Sequence, residues 1–321
     1  MATITAAMVK ELRELTGAGM MDCKKALNET NGDKEKAVEF LREKGLAAIA
    51  KKANRIAAEG LVATILSDDH KVGAIVEVNS ETDFVAKNAE FQSYVARVAA
   101  QALATEVTTI EEFMAQPWID DASLTVEQAL SQKIAVIGEK LSIRRFEKVT
   151  AADGIVATYI HAGGKIGVLV ELTTDSAADA VVECGKNVAM QIAALKPQYT
   201  DRSEVSADYI AHEKEILLAQ IKNDPKESQK PEKVIEGIIT GRINKELKEI
   251  CLVDQVYVKA EDGKQSVGKY VEAVAKEVGA KVAVKGFVRF ETGEGMEKKE
   301  EFLFRVQYNL HLLQNGLCTV V

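Results

Sequence analysis

The segment from Asn79 to Asn88 carries the residue types that could do chemistry, because it sets an acid beside a large aromatic in a turn. It reads Asn-Ser-Glu-Thr-Asp-Phe-Val-Ala-Lys-Asn, follows an apolar strand-like run and precedes a helix-like run. Turns normally expose polar side chains and glycine, so Phe84 next to Asp83 needs an explanation. Asp83 offers three kinds of chemistry: capping a helix, pairing with a partner's charge, or acting as an acid or base.

Two interpretations of this turn follow from the residues. In the first, Thr82 or Asp83 caps the next helix and Phe84 folds back onto that helix as a hydrophobic staple. In the second, Phe84 is an apolar anchor for a partner's pocket, and Asp83 holds the turn or meets a partner's charge. The residue types alone leave both open.

The chain contains an internal repeat that helps to choose between these two interpretations. Eight residues of the first copy recur 94 positions later, namely Gly60, Val62, Ala63, Thr64, Lys71, Gly73, Val76 and Glu77. Each copy has two β-rich runs joined by a short polar turn, which predicts a β-hairpin. Each hairpin is followed by a helix-like run, 89–104 in the first copy and 177–195 in the second. The sequence therefore predicts a core of two related β-hairpin/helix halves.

The two copies differ where the hairpin ends. The first copy leaves its second strand into Glu81-Thr82-Asp83-Phe84-Val85, whereas the second leaves into Thr-Thr-Asp-Ser-Ala at 173–177. A unit that needed the aromatic in order to fold would keep it in both copies. The difference favours a binding role for Phe84.

The first fifty residues predict three short helices. Thr5 caps the first, which ends at the glycine-rich turn 17–19; the second covers 20–28; the third begins after Asp33 and ends at Gly45. Three helices of this total length form a small bundle near the lower size limit for independent folding. Residues 51–59, rich in alanine and basic side chains, are interpreted as a linker.

The rest of the chain predicts further helices and strands around the repeat. A helix over 124–141 and an edge strand over 142–149 lie between the hairpins. Residues 206–250 form an antiparallel helical hairpin, interrupted by Asn223-Asp224-Pro225, which we expect to project and present its tip to a partner. A short strand over 255–258, a helix over 266–279 and a closing strand over 282–290 complete the pattern.

Composition limits the class of protein. A length of 321 residues allows two or three domains, and 47% hydrophobic residues are ample for a core. The net charge of −8 argues against nucleic acid as the main partner, since phosphate binding needs clustered Lys and Arg. There is no signal-peptide pattern, and no apolar run reaches the roughly 20 residues of a membrane helix. We therefore expect a cytoplasmic protein without nucleic-acid or membrane partners.

The search for catalytic and metal-binding motifs finds none. The sequence has no phosphate-binding loop, nucleophile elbow or metal-binding His-Glu-x-x-His helix. The four cysteines are scattered without a Cys-x-x-Cys pair, and no histidine has a ligand or triad partner at the usual spacing. We expect no catalytic residue, metal or cofactor. Two other classes remain open, an enzyme of unrecognised type that uses Asp83 and a helical adaptor that works through the bundle and the hairpin.

The turn also resembles a known family. Thr82-Asp83-Phe84-Val85 resembles the signature of the bacterial elongation factor Ts family, and the likeness covers nearly the whole chain. Further segments look like family segments in the same order, namely Glu11 to Leu27, Ile137-Gly138-Glu139, Ile143-Arg144-Arg145 and Gly286 to Phe290. Several matches in order are more specific than one short motif. After about Glu301 the chain departs from the family pattern, and no family role is carried onto that tail.

The resemblance implies an exchange factor without covalent chemistry. Members of this family are guanine nucleotide exchange factors for elongation factor Tu in translation elongation. By this resemblance, Thr82, Asp83, Phe84 and Val85 bind GDP-loaded elongation factor Tu and displace its Mg²⁺, so that GDP leaves and GTP can bind. The resemblance also implies that the chain binds no nucleotide itself.

The resemblance and the patterns together imply an α+β protein with four parts. Residues 1–54 are expected to form a ubiquitin-associated-like three-helix docking module and its linker, and 55–152 the N-terminal subdomain of the core. Residues 153–292 are expected to form the C-terminal subdomain, including the projecting hairpin 206–250, and 293–321 a tail.

Overall fold

The computed structural model of the protein describes residues 4–16, 18–52 and 54–296. These residues form a three-helix bundle, two antiparallel three-stranded sheets with helices packed on them, and a helical hairpin. The α+β class predicted from the sequence is confirmed. The tail that departs from the family pattern after Glu301, together with Cys318 and His311, lies outside the described residues.

The N-terminal bundle contains α1 (Ala6–Thr16), α2 (Met20–Glu29) and α3 (Lys34–Lys52). The amide of Met8 donates to Thr5 Oγ1 at 3.3 Å, so the predicted cap of the first helix is confirmed. Asp33 caps the third helix by accepting from the amide of Lys36 at 3.1 Å. The bundle has its own small core, made by Val9, Leu12, Cys23, Ala26, Leu27 and Ala37.

The first half of the core begins with the predicted hairpin. Its elements in chain order are β1 (Glu59–Leu66), β2 (Val72–Ser80), α4 (Asp83–Ala86), α5 (Ala89–Ala104), α6 (Ile110–Ala115), β3 (Pro117–Trp118), β4 (Asp121–Thr125), α7 (Val126–Ile137) and β5 (Leu141–Thr150). Strand β2 lies between β1 and β5, so the predicted edge strand is confirmed. The sequence does not predict α4, α6, β3 or β4.

The helix expected over 124–141 is shorter at both ends, so that prediction is wrong in its bounds. Thr125 caps α7 and exchanges hydrogen bonds with Gln128 in a capping box, which sets the start of the helix. Gly138 ends α7 in the left-handed region at φ 83°, a conformation that glycine adopts without a steric penalty.

The prediction that the third helix ends at Gly45 is also wrong. Helix α3 continues to Lys52, so residues 51 and 52 are helical and do not belong to a linker. Glycine inside a helix costs about 1 kcal/mol relative to alanine. Gly45 is buried, however, and a Cβ there would lie 3.5 Å from the Cβ of Ala135 in α7. The close packing of α3 on α7 therefore favours continuation of the helix.

The second half of the core repeats the first with a larger insertion. Its elements are β6 (Gly154–His161), β7 (Ile166–Thr174), α8 (Asp179–Leu195), α9 (Ala207–Asn223), α10 (Glu232–Ile250), α11 (Val267–Val278) and β8 (Val282–Glu291). Strand β7 lies between β6 and β8. Helices α9 and α10 form the predicted helical hairpin. Most of their residues are exposed, and their apolar contacts form a cluster distinct from the cores under the two sheets.

The strand predicted over 255–258 is wrong. Only a single bridge forms there, between Val256 and Ser266. The buried side chain of Gln191 supplies the partners that a neighbouring strand would otherwise provide. Its Nε2 donates to the carbonyl of Val256 at 3.0 Å, and its Oε1 accepts from the amide of Val258 at 2.8 Å.

The structural repeat extends further than the hairpins. Helix α11 and strand β8 correspond to α7 and β5 at a constant offset of 141 residues, against 94 for the hairpins. Both third strands pair with their hairpins across a bulge at equivalent positions, after Glu77 and after Glu171. The offset grows because the helical hairpin in the second half occupies the place of the short α6–β4 segment in the first.

The two sheets pack against each other through equivalent contacts. The amide of Val62 donates to the carbonyl of Gly164 at 2.7 Å, and the amide of Val156 donates to the carbonyl of His70 at 2.7 Å. The two hydrogen bonds are equivalent, because Val62 corresponds to Val156 and His70 corresponds to Gly164 in the repeat. An apolar cluster fills the space between the sheets and contains Val62, Ile75, Ala151, Val156, Leu169 and Phe290. The outer faces of the sheets carry separate cores, covered by α5 and α7 in the first half and by α8 and α11 in the second.

Candidate functional site

The four predicted site residues lie together where β2 ends and the chain enters the one-turn helix α4. Thr82 has an extended backbone and is the N-cap of α4, because its Oγ1 accepts from the amide of Val85 at 3.4 Å. The hydroxyl of Ser80 donates to the carbonyl of Thr82 at 3.0 Å and so closes the turn from the strand side. Thr82 therefore caps α4, whereas Asn88 caps the helix over 89–104, so the prediction that Thr82 or Asp83 caps that helix is wrong.

Phe84 points away from the protein. Its side chain is 80% exposed, the highest value of any large apolar residue that the structure describes. The staple interpretation is therefore wrong, since a staple would bury the ring against the helix. Val85 packs on the core of the first half and Ala86 is buried, so α4 is held on one side while Phe84 extends on the other. Leaving such a ring in water forgoes roughly 2 kcal/mol of burial free energy.

Asp83 is about half exposed and is paired within the turn. Its Oδ2 accepts from Lys87 Nζ at 2.7 Å, an i,i+4 pair along the chain. This hydrogen bond is the main reason that the pKa of Asp83 is lowered from its ordinary value, with a smaller contribution from the charge of Lys165 in the second half. The carboxylate is therefore ionised near neutral pH, which does not suit a general acid.

The loop between α7 and β5 braces the turn through two carboxylates. Glu139 accepts from the hydroxyl of Thr82 at 2.7 Å with Oε1 and from the amide of Thr82 at 3.1 Å with Oε2. In the opposite direction, Glu81 Oε1 accepts from the amide of Lys140 at 2.6 Å. The turn is thus held by side-chain contacts that run both ways between two loops.

Sequence reasoning missed this bracing. In the sequence, Glu139 is only part of a segment that resembles the family, and no local pattern gives it a role. The available signal was an acidic residue directly after the helix-ending Gly138. Its partner Thr82 lies 57 residues away, however, so the pair can be identified only once β2 and β5 are aligned in one sheet.

Metal-ligand groups and free thiols are the other side chains of the described residues that could carry chemistry. Among the described residues no group of three or more His, Cys, Asp and Glu could hold a metal ion. Cys23, Cys184 and Cys251 are free and buried, and burial raises the pKa of the Cys184 thiol to about 11. A buried, protonated thiol is a poor nucleophile at neutral pH. The exposed Phe84 is the feature of the turn that a partner could use most directly.

No helix in the ranges covered by the structure combines the length and the apolar character needed to cross a membrane.

Comparison with known proteins gives consistent matches along this chain. The model of a protein family described as elongation factor TS matches residues 81–294, which begin directly before the turn. A protein of Clostridium novyi named elongation factor Ts is 51% identical over 298 residues, covering 93% of this chain and 95% of the relative. The proteins of the same name from Clostridium perfringens strain 13 and Clostridioides difficile strain 630 are 52% and 53% identical, covering 93% and 94% of this chain and 96% of each relative.

Proposed function

Because this chain belongs to the elongation factor Ts family, a family of translation elongation factors, we propose that it is a guanine nucleotide exchange factor for elongation factor Tu. It binds the GDP-loaded partner, promotes release of GDP so that GTP can bind, and makes or breaks no covalent bond. The observation that carries the proposal is the exposed ring of Phe84 on a turn held by Thr82, Val85 and Ala86.

The mechanism follows from thermodynamic linkage. An exchange factor binds the nucleotide-free partner more tightly than the loaded one, and reciprocity requires that it weaken nucleotide binding by the same factor. The loaded partner holds its nucleotide through phosphate contacts and a Mg²⁺ ion. We propose that Phe84 inserts between helices of the nucleotide-binding domain near the Mg²⁺ site and that Asp83 accompanies it, so that the ion is displaced.

The remaining site residues support this insertion. Thr82 closes the N-terminus of α4 and Val85 anchors α4 to the core, so Phe84 approaches the partner on a preformed support. A preformed support reduces the entropy lost when the ring is immobilised. We place the ionised Asp83 at the edge of the contact, where a charge can remain partly solvated.

Two other surfaces are proposed to add affinity without touching the nucleotide. The three-helix module of residues 1–54 exposes a patch of large apolar side chains, namely Leu15, Met20 and Met21, which are 58–75% exposed. Exposed methionines suit adaptable docking. The hairpin 206–250 provides a second, projecting arm. The core subdomains 55–152 and 153–292 hold these parts around the turn.

The experiment that tests the proposal is GDP release from elongation factor Tu with the Phe84→Ala chain. Truncation of an aromatic anchor costs about 2 kcal/mol or more, so release at limiting factor should slow roughly thirtyfold. The melting temperature should not change, because the ring makes no core contact. Ile119→Ala, which truncates an exposed apolar side chain outside the turn, is the matched control and should leave release unchanged. Normal release by Phe84→Ala would refute the assignment of the turn.

A Mg²⁺ series tests the displacement step. A ligand that stabilises one state weakens an effector that favours the other, so raising Mg²⁺ should reduce the affinity of the chain for GDP-loaded elongation factor Tu. The Asp83→Ala/Phe84→Ala double variant should lose part of that dependence. Equal affinities at every Mg²⁺ concentration for both chains would exclude displacement of the metal as the mechanism.

A variant of the N-terminal module tests the docking surfaces. Met21 is 75% exposed, so Met21→Ser should not disturb the bundle core. It should raise the concentration of factor that gives half-maximal GDP release and leave the maximal rate unchanged, because the module contributes affinity alone. An unchanged half-maximal concentration would remove this patch from the interface.

A further inference from the structure

The turn that presents Phe84 is too short to hold its own shape. Helix α4 has four residues, and a single helical turn is not stable by itself in water. Its two anchors on the core, the partly buried Val85 and the buried Ala86, follow Phe84 in the sequence. The residues that precede the ring therefore need a different constraint.

Glu139 provides that constraint. Both of its carboxylate oxygens accept from the same residue, one from the amide of Thr82 at 3.1 Å and the other from the hydroxyl at 2.7 Å. Hydrogen bonds to a charged group are stronger than those between neutral groups. The pair fixes both the backbone and the side chain of Thr82, which in turn caps α4 through the amide of Val85.

The loop that carries Glu139 is itself held in place. Lys52 Nζ at the end of α3 donates to the carbonyl of Gly138 at 2.6 Å. Lys140 makes two contacts: its amide donates to Glu81, and its side-chain Nζ donates to the carbonyl of Arg55 at 2.9 Å. The loop from 138 to 140 therefore links the end of the N-terminal module to the turn.

The second half of the core shows which of these contacts the fold requires. There, the amide of Lys281 donates to Asp175 at 3.0 Å, which repeats the contact of Lys140 with Glu81. The hydroxyl of Thr174 donates to the carbonyl of Ser176 at 3.2 Å, which repeats the contact of Ser80 with Thr82. These contacts occur in both copies and belong to the shared architecture.

The contact of Glu139 with Thr82 occurs in one copy only. The position equivalent to Glu139 is Ala280, and the position equivalent to Phe84 is Ala178. The second half thus has neither the aromatic nor the carboxylate that would brace it, and it forms its sheet and helices without them. The glutamate and the phenylalanine are differences between the copies that occur together in the same half.

We propose that Glu139 is a positioning residue that orders the Thr82–Val85 turn before the partner arrives, an inference that rests on the proposed exchange function. It acts only through Thr82 and contacts neither nucleotide nor metal. Its removal leaves the rest of the docking surface intact. A chain without Glu139 therefore docks normally but inserts Phe84 less efficiently. The maximal rate of GDP release decreases, while the concentration of factor that gives half-maximal release stays nearly constant.

The experiment compares five variants of the full chain, including Phe84→Ala. Glu139→Ala removes both hydrogen bonds to Thr82 and should lower the maximal rate at least about tenfold, since losing even one charge-assisted hydrogen bond has an effect of this size. Glu139→Gln should restore most of it, because the amide oxygen can accept from the Thr82 amide and its NH₂ can donate to the Thr82 hydroxyl. Adding Glu139→Ala to Phe84→Ala should lower the rate no further. Asp175→Ala removes the loop contact with Lys281, which corresponds to the contact of Glu81 with Lys140; it is the control and should leave the maximal rate unchanged.

Amide hydrogen exchange on the isolated chain gives a readout that does not depend on nucleotide release. Glu139→Ala should speed exchange at Thr82 and Val85, whose amides donate to Glu139 and to Thr82. Glu139→Gln should not, and neither should Asp175→Ala. An unchanged exchange pattern in Glu139→Ala would overturn the inference whatever the release assay shows.

The outcomes separate this inference from the proposed function. Normal GDP release by Phe84→Ala refutes the proposed function of the turn. A slow Phe84→Ala with a normal Glu139→Ala refutes only the positioning role. Two further results would overturn the positioning role. If the double variant is slower than Phe84→Ala alone, Glu139 acts independently of the turn. If Glu139→Gln is as slow as Glu139→Ala, Glu139 acts through its charge and not through its hydrogen bonds to Thr82.

Discussion

The two halves of the core are built from the same parts and differ at the point that the proposed function uses. Both have a hairpin, a bulge after a glutamate, a helix ended by a left-handed glycine and an edge strand. In the first half the hairpin leads into the exposed Phe84, whereas in the second half Ala178 stands at the equivalent position. We infer that the features shared by both halves serve folding and that the exposed ring found in one half alone serves the proposed binding of a partner.

The halves also differ in how they bury charge. Glu77 is fully buried and pairs with Arg144 at 3.0 Å and Arg145 at 2.6 Å. Its counterpart Glu171 pairs with Lys285, whose side chain is largely exposed. Glu77 also accepts from the amide of Gly293 at 2.8 Å, which follows β8 of the second half. The first glutamate therefore joins the halves, whereas the second contributes only to its own sheet.

The largest effect that we expect concerns this pair. Glu77→Ala removes the carboxylate that Arg144, Arg145 and the buried amide of Gly293 share, although both arginines keep contacts with Glu294. Breaking a buried ion pair costs about 3–5 kcal/mol. Glu171→Ala should cost about 1 kcal/mol or less, because Lys285 remains solvated. Thermal unfolding monitored by circular dichroism should show a decrease in melting temperature of roughly 10 °C for the first variant and little change for the second. Equal decreases would mean that the two glutamates play the same part.

A second prediction tests the part that the halves share. Gly73 and Gly167 are equivalent positions where the sheets meet. A Cβ on Gly73 would lie 2.7 Å from Val156 Cγ1, and one on Gly167 would lie 2.4 Å from Val62 Cγ1. Overpacking of this kind costs about 1–3 kcal/mol, so Gly73→Ala and Gly167→Ala should destabilise the chain by similar amounts in urea unfolding.

The contrast with Gly286 controls for a general effect of losing glycine. Nothing lies within 4 Å of a Cβ built on Gly286, in the third strand of the second half. Gly286→Ala should therefore leave the urea midpoint unchanged or raise it slightly. Destabilisation by all three substitutions would argue against tight packing as the cause.

A third prediction concerns the equivalent helices α7 and α11. Thr125 and Ser266 are their N-caps, and removing such a cap costs about 1 kcal/mol. Thr125 also belongs to a capping box with Gln128, whereas the residue equivalent to Gln128 is Lys269. Thr125→Ala should therefore destabilise the chain more than Ser266→Ala, as measured by chemical denaturation. The reverse order would show that the box adds no stability here.

The smallest effect that we expect lies in the turn itself. Because Lys87 holds the pKa of Asp83 below its ordinary value, any stability from the pair is present above the unfolded-state pKa of the carboxyl. It is lost as the pH falls through the lower folded-state pKa. Both groups are exposed, so the midpoint of unfolding should hardly change in Lys87→Ala. The carboxyl carbon of Asp83, followed by NMR, should instead titrate at higher pH in that variant, and an unchanged titration would exclude the pair in solution.

The sequence by itself determined the elements whose signals are local. The hairpin repeat, the caps at Thr5 and Asp33, and the helical break at Pro225 follow from the sequence, since alternation, capping residues and proline act over a few positions. The comparison of the two copies also identified Phe84 as the unusual residue, because the second copy folds in the same way without an aromatic residue at that position.

The tertiary structure decided the features that depend on residues far apart in the chain. Helix α3 continues through Gly45 because Ala135 packs against it, and the backbone at 256–258 avoids a strand because Gln191 supplies its hydrogen bonds. The bracing of the turn by Glu139 belongs to the same class, since its partner is 57 residues away. Each of these outcomes depends on a contact formed only after the sheets assemble, and no local pattern in the sequence encodes which distant side chain will be there.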